Sequence, residues 1–222
     1  MKSLIPRWII FGGITLSFIA GAINVISLLS VHHQAVSHLT GTISTAGIHF
    51  SKLNWSDLIH FITIVFFFLL GAIISSLIVR DQVLTFGKRY GFVIMLEATL
   101  LAIAYFSNIY SSKSTDLFLS AACGLQNAMA TSFSGAILRT THMTGIVTDI
   151  GIFIGQYLRG KEVNFARLKL HLTVLSGFFI GCVVGSLLSD KFGFDALLLV
   201  VIVLFLSGMS YTIFRLITEK SN

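Results

Sequence analysis

Two four-residue segments, His38-Leu-Thr-Gly41 and His142-Met-Thr-Gly145, are where residue types and spacing in this sequence first suggest chemistry. Each joins an imidazole, a hydrogen-bonding ring, to a hydroxyl and a glycine whose backbone reaches conformations other residues resist. Thr40 and Thr144 are placed to N-cap a following helix. The free N–H groups at such a helix start favour a negatively charged or strongly accepting partner. Asn24 lies upstream of the first segment and Gln126 and Asn127 upstream of the second, supplying amide donors and acceptors. This is the chemistry of binding. No G-x-S-x-G elbow, Walker A run or H-E-x-x-H pair occurs, so no enzyme activity is expected.

Asp149 and Glu97 are the only carboxylates inside apolar stretches. A charge in that setting is costly unless it pairs or meets water, which makes each a candidate for proton or cation coupling. Glu97 also reads as a protonated or Arg-paired structural residue. Asp149 falls about one turn into the helix after Gly145, where the helix dipole stabilises its charge; an acid there argues against an anionic partner. A metal site needs three or four converging donors, and no Cys or carboxylate lies in the stretch that carries His32, His33 and His38, so neither metal nor cofactor is expected. His60 and His171 read as interfacial, and Cys123 and Cys182 as small apolar residues.

These residues sit in an apolar chain. Of 222 residues, 55% are hydrophobic and 11% charged, with one Pro and a mean hydropathy of +0.91. A soluble domain carries roughly 25% charged residues. The sequence is that of an all-α, polytopic membrane protein. A spanning helix needs about 20 apolar residues to cross about 30 Å of hydrocarbon. Trp8–Leu29, Leu58–Val79, Leu117–Leu138, Leu170–Ser189 and Ala196–Phe214 qualify without a charge, and Tyr90–Tyr110 qualifies with Glu97 alone. The first span is too long for a signal-peptide core and is read as retained. Two stretches, 38–50 and 142–158, are short or interrupted by Thr, Gly and Asp149.

If those two do not cross, six transmembrane helices remain with both termini in the cytoplasm. The inside then holds Lys2, Arg7, Arg80, Lys88, Arg89, Arg139, Arg159, Lys161, Arg167, Lys169, Arg215 and Lys220, against Lys52, Lys113 and Lys191 outside. That bias matches the preference of Lys and Arg for cytoplasmic loops. The net charge of +6 is scattered over short loops, so it reads as anchoring to the lipid bilayer and no nucleic-acid partner is expected.

The chain repeats itself. His38–Gly47 matches His142–Gly151 at an offset of 104, Gly21–Asn24 matches Gly124–Asn127 at 103, and Phe68–Ser76 matches Phe178–Ser186 at 110. Residues 1–110 and 111–222 are therefore read as two halves of one membrane domain, each with three spans plus a half-helix. An odd number of spans inverts the second half relative to the first, the plan of many secondary transporters, whose sites lie at the matching interrupted segments. For one Thr-Gly alone, helix packing is the simpler account; the duplication beside polar spans favours a site. Gly177, Gly181 and Gly185 form a close-approach face, echoed by Gly71 and Ser75, that joins either the two halves or two copies in a homo-oligomer.

Gly21-Ala-Ile-Asn24, Ser37-His-Leu-Thr-Gly41, Gly124-Leu-Gln-Asn-Ala128 and Arg139-Thr-Thr-His-Met-Thr-Gly145 resemble the YoaK-like family of bacterial inner-membrane proteins, a group of unassigned function. The resemblance covers nearly the whole chain and implies membrane location and the paired motif, without a substrate. It departs at Asn24, where the family pattern has Asp, at Thr42, where it has Asn, and at Ala130-Thr131, where a basic pair is missing. The expected function is transport of a small polar or ionic solute. Asn24, His38, Thr40, Gly41, Gln126, Asn127, His142, Thr144 and Gly145 would bind it, with Asp149 and Glu97 for coupling. The alternatives are an ion channel of the same architecture, or a membrane sensor or enzyme with no transport role.

Overall fold

The computed structural model describes residues 7–30, 36–79, 89–134 and 139–220. Within them the chain forms α1 (Arg7–Leu29), α2 (Leu39–Ser51), α3 (Trp55–Val79), α4 (Arg89–Ser107), α5 (Ser112–Phe133), α6 (Met143–Leu158), α7 (Phe165–Phe192) and α8 (Ala196–Lys220). No strand occurs among the described residues. Four stretches are long and apolar enough to cross a membrane: α1, α3, α4 and the 54 residues from Phe165 to Thr218, which α7 and α8 share. Gly193, at φ 58°, ends α7, and one turn of 3-10 helix at Gly193–Asp195 leads into α8.

The outward faces identify the solvent. Ile59, Ile62, Phe66, Leu69, Ile73 and Leu77 on α3, and Phe179, Ile180, Val183 and Leu187 on α7, are exposed. Apolar surface this continuous is stable only against lipid or a partner. This is a helical membrane protein.

The six expected spans fall on helices with shifted ends, and α5 is not among the stretches long and apolar enough to cross. α5 begins at Ser112 and stops at Phe133 instead of covering 117–138. Its first turns carry Lys113 and Asp116, which an apolar window omits. Residues 135–138 lie outside the described chain, as do Lys2, His32, His33, Arg80 and Lys88. α2 and α6 have 13 and 16 residues, roughly 20 and 24 Å long, short of the hydrocarbon thickness. Each turns back tightly. After α2, Leu53 adopts φ 55° and the Asn54 side chain accepts the Asp57 N–H at 3.4 Å. After α6, Gly160 adopts φ 70° and the Asn164 side chain accepts the Arg167 N–H at 3.2 Å. The two Asn N-caps start α3 and α7 in the same way.

The long helices pair across the sequence: α1 packs chiefly on α7, α3 on α5, and α4 on α8. Glycine sets the first two pairs. A Cβ at Gly21 would fall on the Phe178 carbonyl and one at Gly181 on the Phe18 carbonyl. In the other pair, Gly124 meets the Phe68 carbonyl and Gly71 the Ala121 carbonyl. Gly177 and Gly185 face Ile14, Ser17 and Ala22, so the glycine face of α7 packs on α1. Between the pairs, Ile19 and Ile23 of α1, Ala98 and Leu101 of α4, Leu119 and Ala122 of α5, and Leu197 and Leu204 of α8 form one buried cluster.

Candidate functional site

Each Thr-Gly segment begins a short helix, although not at the threonine. His38 (φ −94°, ψ 66°) and His142 (φ −84°, ψ 56°) are the N-caps of α2 and α6. Thr40 and Thr144 sit two residues inside, so the expected threonine caps are corrected to histidine positions. Neither start has a side-chain cap. The glycines have a definite purpose. A Cβ at Gly41 would collide with the His38 ring and one at Gly145 with the His142 ring, so each glycine makes room for an imidazole folded over the first helical turn.

The preceding residues are tied to the long helices by the predicted amides. Ser37 donates to the Asn24 Oδ1 at 2.7 Å. At the matching position Asn127 donates through Nδ2 to the Thr141 hydroxyl, while its Oδ1 accepts the Thr141 N–H at 3.2 Å and the Thr140 hydroxyl at 3.0 Å. Gln126, buried, accepts from the Thr140 hydroxyl at 3.1 Å. Asn24 and Asn127 thus hold equivalent points ahead of the two helix starts, and the second half is held by more bonds.

The two segments meet. A cavity of about 560 Å³ is lined by residues 37–40 and 141–144, by Arg139, and by faces of α3 (Phe68, Ala72, Ser76) and α5 (Gly124, Asn127, Ala128, Thr131, Ser132). His38, Thr40, Asn127, His142 and Thr144 therefore share one chamber. Asn24, Gly41, Gln126 and Gly145 are not among its lining residues. Arg139 is a lining residue that sequence reasoning left in a basic tally; its place three residues before His142 was the available signal.

The carboxylates lie elsewhere. Asp149 is half-exposed and pairs with the His171 Nε2 at 3.2 Å. Glu97 is fully buried in α4, and neither oxygen has a hydrogen-bond partner among the described residues. His60 and His171, expected near the membrane interface, each lie beside a carboxylate. His60 lies half-buried beside Asp116 at 3.3 Å, and His171 is buried between α6 and α7, because each finds a carboxylate that offsets its desolvation.

One further repeat was hidden by residue type. His49 of α2 stacks on Phe61 of α3 at 5.3 Å, and Phe153 of α6 meets His171 of α7 at 5.8 Å. The positions correspond and the two residue types are exchanged. Each imidazole also has a carboxylate, Asp57 for His49 at 3.7 Å and Asp149 for His171. No three His, Cys, Asp or Glu side chains converge among the described residues.

Apolar helices facing outward around a half-open cavity of mixed polar and apolar lining define the class, a multi-helix membrane protein. The chain belongs to the DUF1275 family, proteins of unknown function, whose profile matches residues 12–210. No curated protein and no solved structure matches it.

Proposed function

We propose that the protein carries a small polar or ionic solute across a bacterial inner membrane, with the cavity as its central site. In this reading, which keeps the YoaK-like resemblance, α1, α3, α4, α5, α7 and α8 span the bilayer. α2 and α6 dip in from opposite sides, and both termini are cytoplasmic. Residues 1–110 and 111–222 are inverted repeats. One observation carries the reading: segments 104 residues apart in sequence line a single chamber. The exchange of helix partners supports it, since a two-fold axis relating the halves turns the α1–α7 pair into the α5–α3 pair. Asn54 with Asn164 and Gly71 with Gly181 support it in the same way.

The cavity is one-sided. α3 and α5 line it, whereas their counterparts α7 and α1 do not. In an inverted repeat this asymmetry is one access state, and exchanging the roles of the halves produces the other. In that second state Phe178, Cys182 and Ser186 take the places of Phe68, Ala72 and Ser76, and Asn24 that of Asn127. Asp149 and Glu97 are assigned to coupling, outside the solute's path.

The test has two arms. In a background with Cys123 and Cys182 replaced by Ala, Thr40→Cys and Thr144→Cys should both react with a polar thiol reagent. Reporter fusions after Arg89 and after Lys169 should both report the cytoplasm. Inert cysteines at both sites, or fusions on opposite sides, overturn the reading.

A further inference from the structure

We infer that the solute is a small organic anion whose acidic group sits between the two half-helix starts and Arg139. The inference rests on the central-site reading and adds the sign of the charge. The ionisable side chains of the cavity wall are Arg139, His38 and His142; no carboxylate lines it among the described residues. Arg139 is exposed to the chamber, and a guanidinium pairs with a carboxylate or phosphate through two parallel N–H donors. Two helices of 13 and 16 residues begin on the same wall without a side-chain cap, and their first N–H groups carry partial positive charge.

The acid that argued against an anion is accounted for. Asp149 is engaged by His171 on the α7 side and is absent from the cavity wall. A cationic solute would find no counter-charge there, and burying an unpaired charge is unfavourable. The size points to an organic molecule. A volume of about 560 Å³ falls in the range of small-molecule pockets, roughly 300–1,000 Å³, well beyond a bare inorganic ion. Phe68, Ala72 and Ala128 supply an apolar wall for the remainder of the solute.

The experiment compares molecules of one shape and three charges. Butyrate, butyramide and butylammonium are each added at matched ionic strength to the Thr144→Cys protein in lipid-free non-ionic detergent, and the labelling rate is followed. Butyrate should slow labelling several-fold while the amide and the ammonium do not. Arg139→Gln should raise the half-protective butyrate concentration about tenfold or more, the loss expected for a hydrogen-bonded charge. Arg139→Lys, which keeps the charge, should retain most of the protection and shows that the fold survives at this position. Equal protection by butyramide or butylammonium, no protection by butyrate, or an unchanged response in Arg139→Gln overturns the anion and leaves the chamber standing, because the cysteine still labels. A cysteine that never labels removes the chamber itself. Protection by added phosphatidylglycerol but not by butyrate assigns the positive wall to a lipid headgroup and overturns a soluble solute.

Discussion

Replacing Asn127 by Ala should cost the fold about three times as much as replacing Asn24, although the two occupy equivalent places. Asn127 makes three hydrogen bonds to Thr140 and Thr141; Asn24 has one, from Ser37, among the described residues. A side-chain hydrogen bond contributes about 0.6–1 kcal/mol in a membrane protein, so Asn127→Ala loses roughly 2–3 kcal/mol and Asn24→Ala roughly 0.6–1. At about 2–4 °C per kcal/mol for a chain of this size, the expected falls in melting temperature are roughly 4–12 °C and 1–4 °C. Melting of the purified variants in one detergent, followed by tryptophan fluorescence, measures both. Asn127→Asp keeps the Oδ1 acceptor and loses only the Nδ2 donor, so it should fall between wild type and Asn127→Ala. Equal losses at the two positions, or a larger one at Asn24, would show that these bonds do not fix the second half-helix more firmly than the first.

Two further outcomes follow from the packing. Gly71→Ala and Gly181→Ala place a methyl group on a facing carbonyl, and each should lower stability by about 1–3 kcal/mol or more. Gly47→Ala and Gly151→Ala, which meet nothing within 4 Å, should be neutral or stabilise the half-helices by up to about 1 kcal/mol; the same melting series checks both pairs. The exchanged aromatic contacts predict that His49→Phe combined with Phe61→His is tolerated better than the sum of the single changes, and a double-mutant cycle on melting would reveal the coupling.

Much of the arrangement was legible because similar segments recur at offsets of 103, 104 and 110. The helices were readable from uncharged apolar runs, and the short pair from Thr-Gly within 38–50 and 142–158. Asn24 and Asn127 were visible as amides in otherwise apolar spans. The misreadings have physical causes. Thr40 and Thr144 resembled caps because hydroxyls usually cap helices, yet the turn here closes one residue before the Leu or Met, with the ring of His38 or His142 resting on the glycine. The pairing of His171 with Asp149 was not legible because the two lie 22 positions apart in sequence and are adjacent only in space. The contact of His49 with Phe61 and of Phe153 with His171 was invisible to sequence comparison, since the two types trade places and leave no identity to align. Arg139 carried only its charge and its place three residues before His142 as signals until the cavity gave it a setting.

The cross-pairing of α1 with α7 and α3 with α5 also governs how the chain is made. α1 is synthesised well over a hundred residues before the helix it must grip. At roughly 5–20 residues per second, its α7-facing surface waits many seconds in the bilayer for a partner still on the ribosome. Neither half, made alone, contains the mate of its own first or third helix. Co-expressed as separate polypeptides, the halves carry all four complementary surfaces and should find each other, so cutting the gene between α4 and α5 is the least damaging place to divide it.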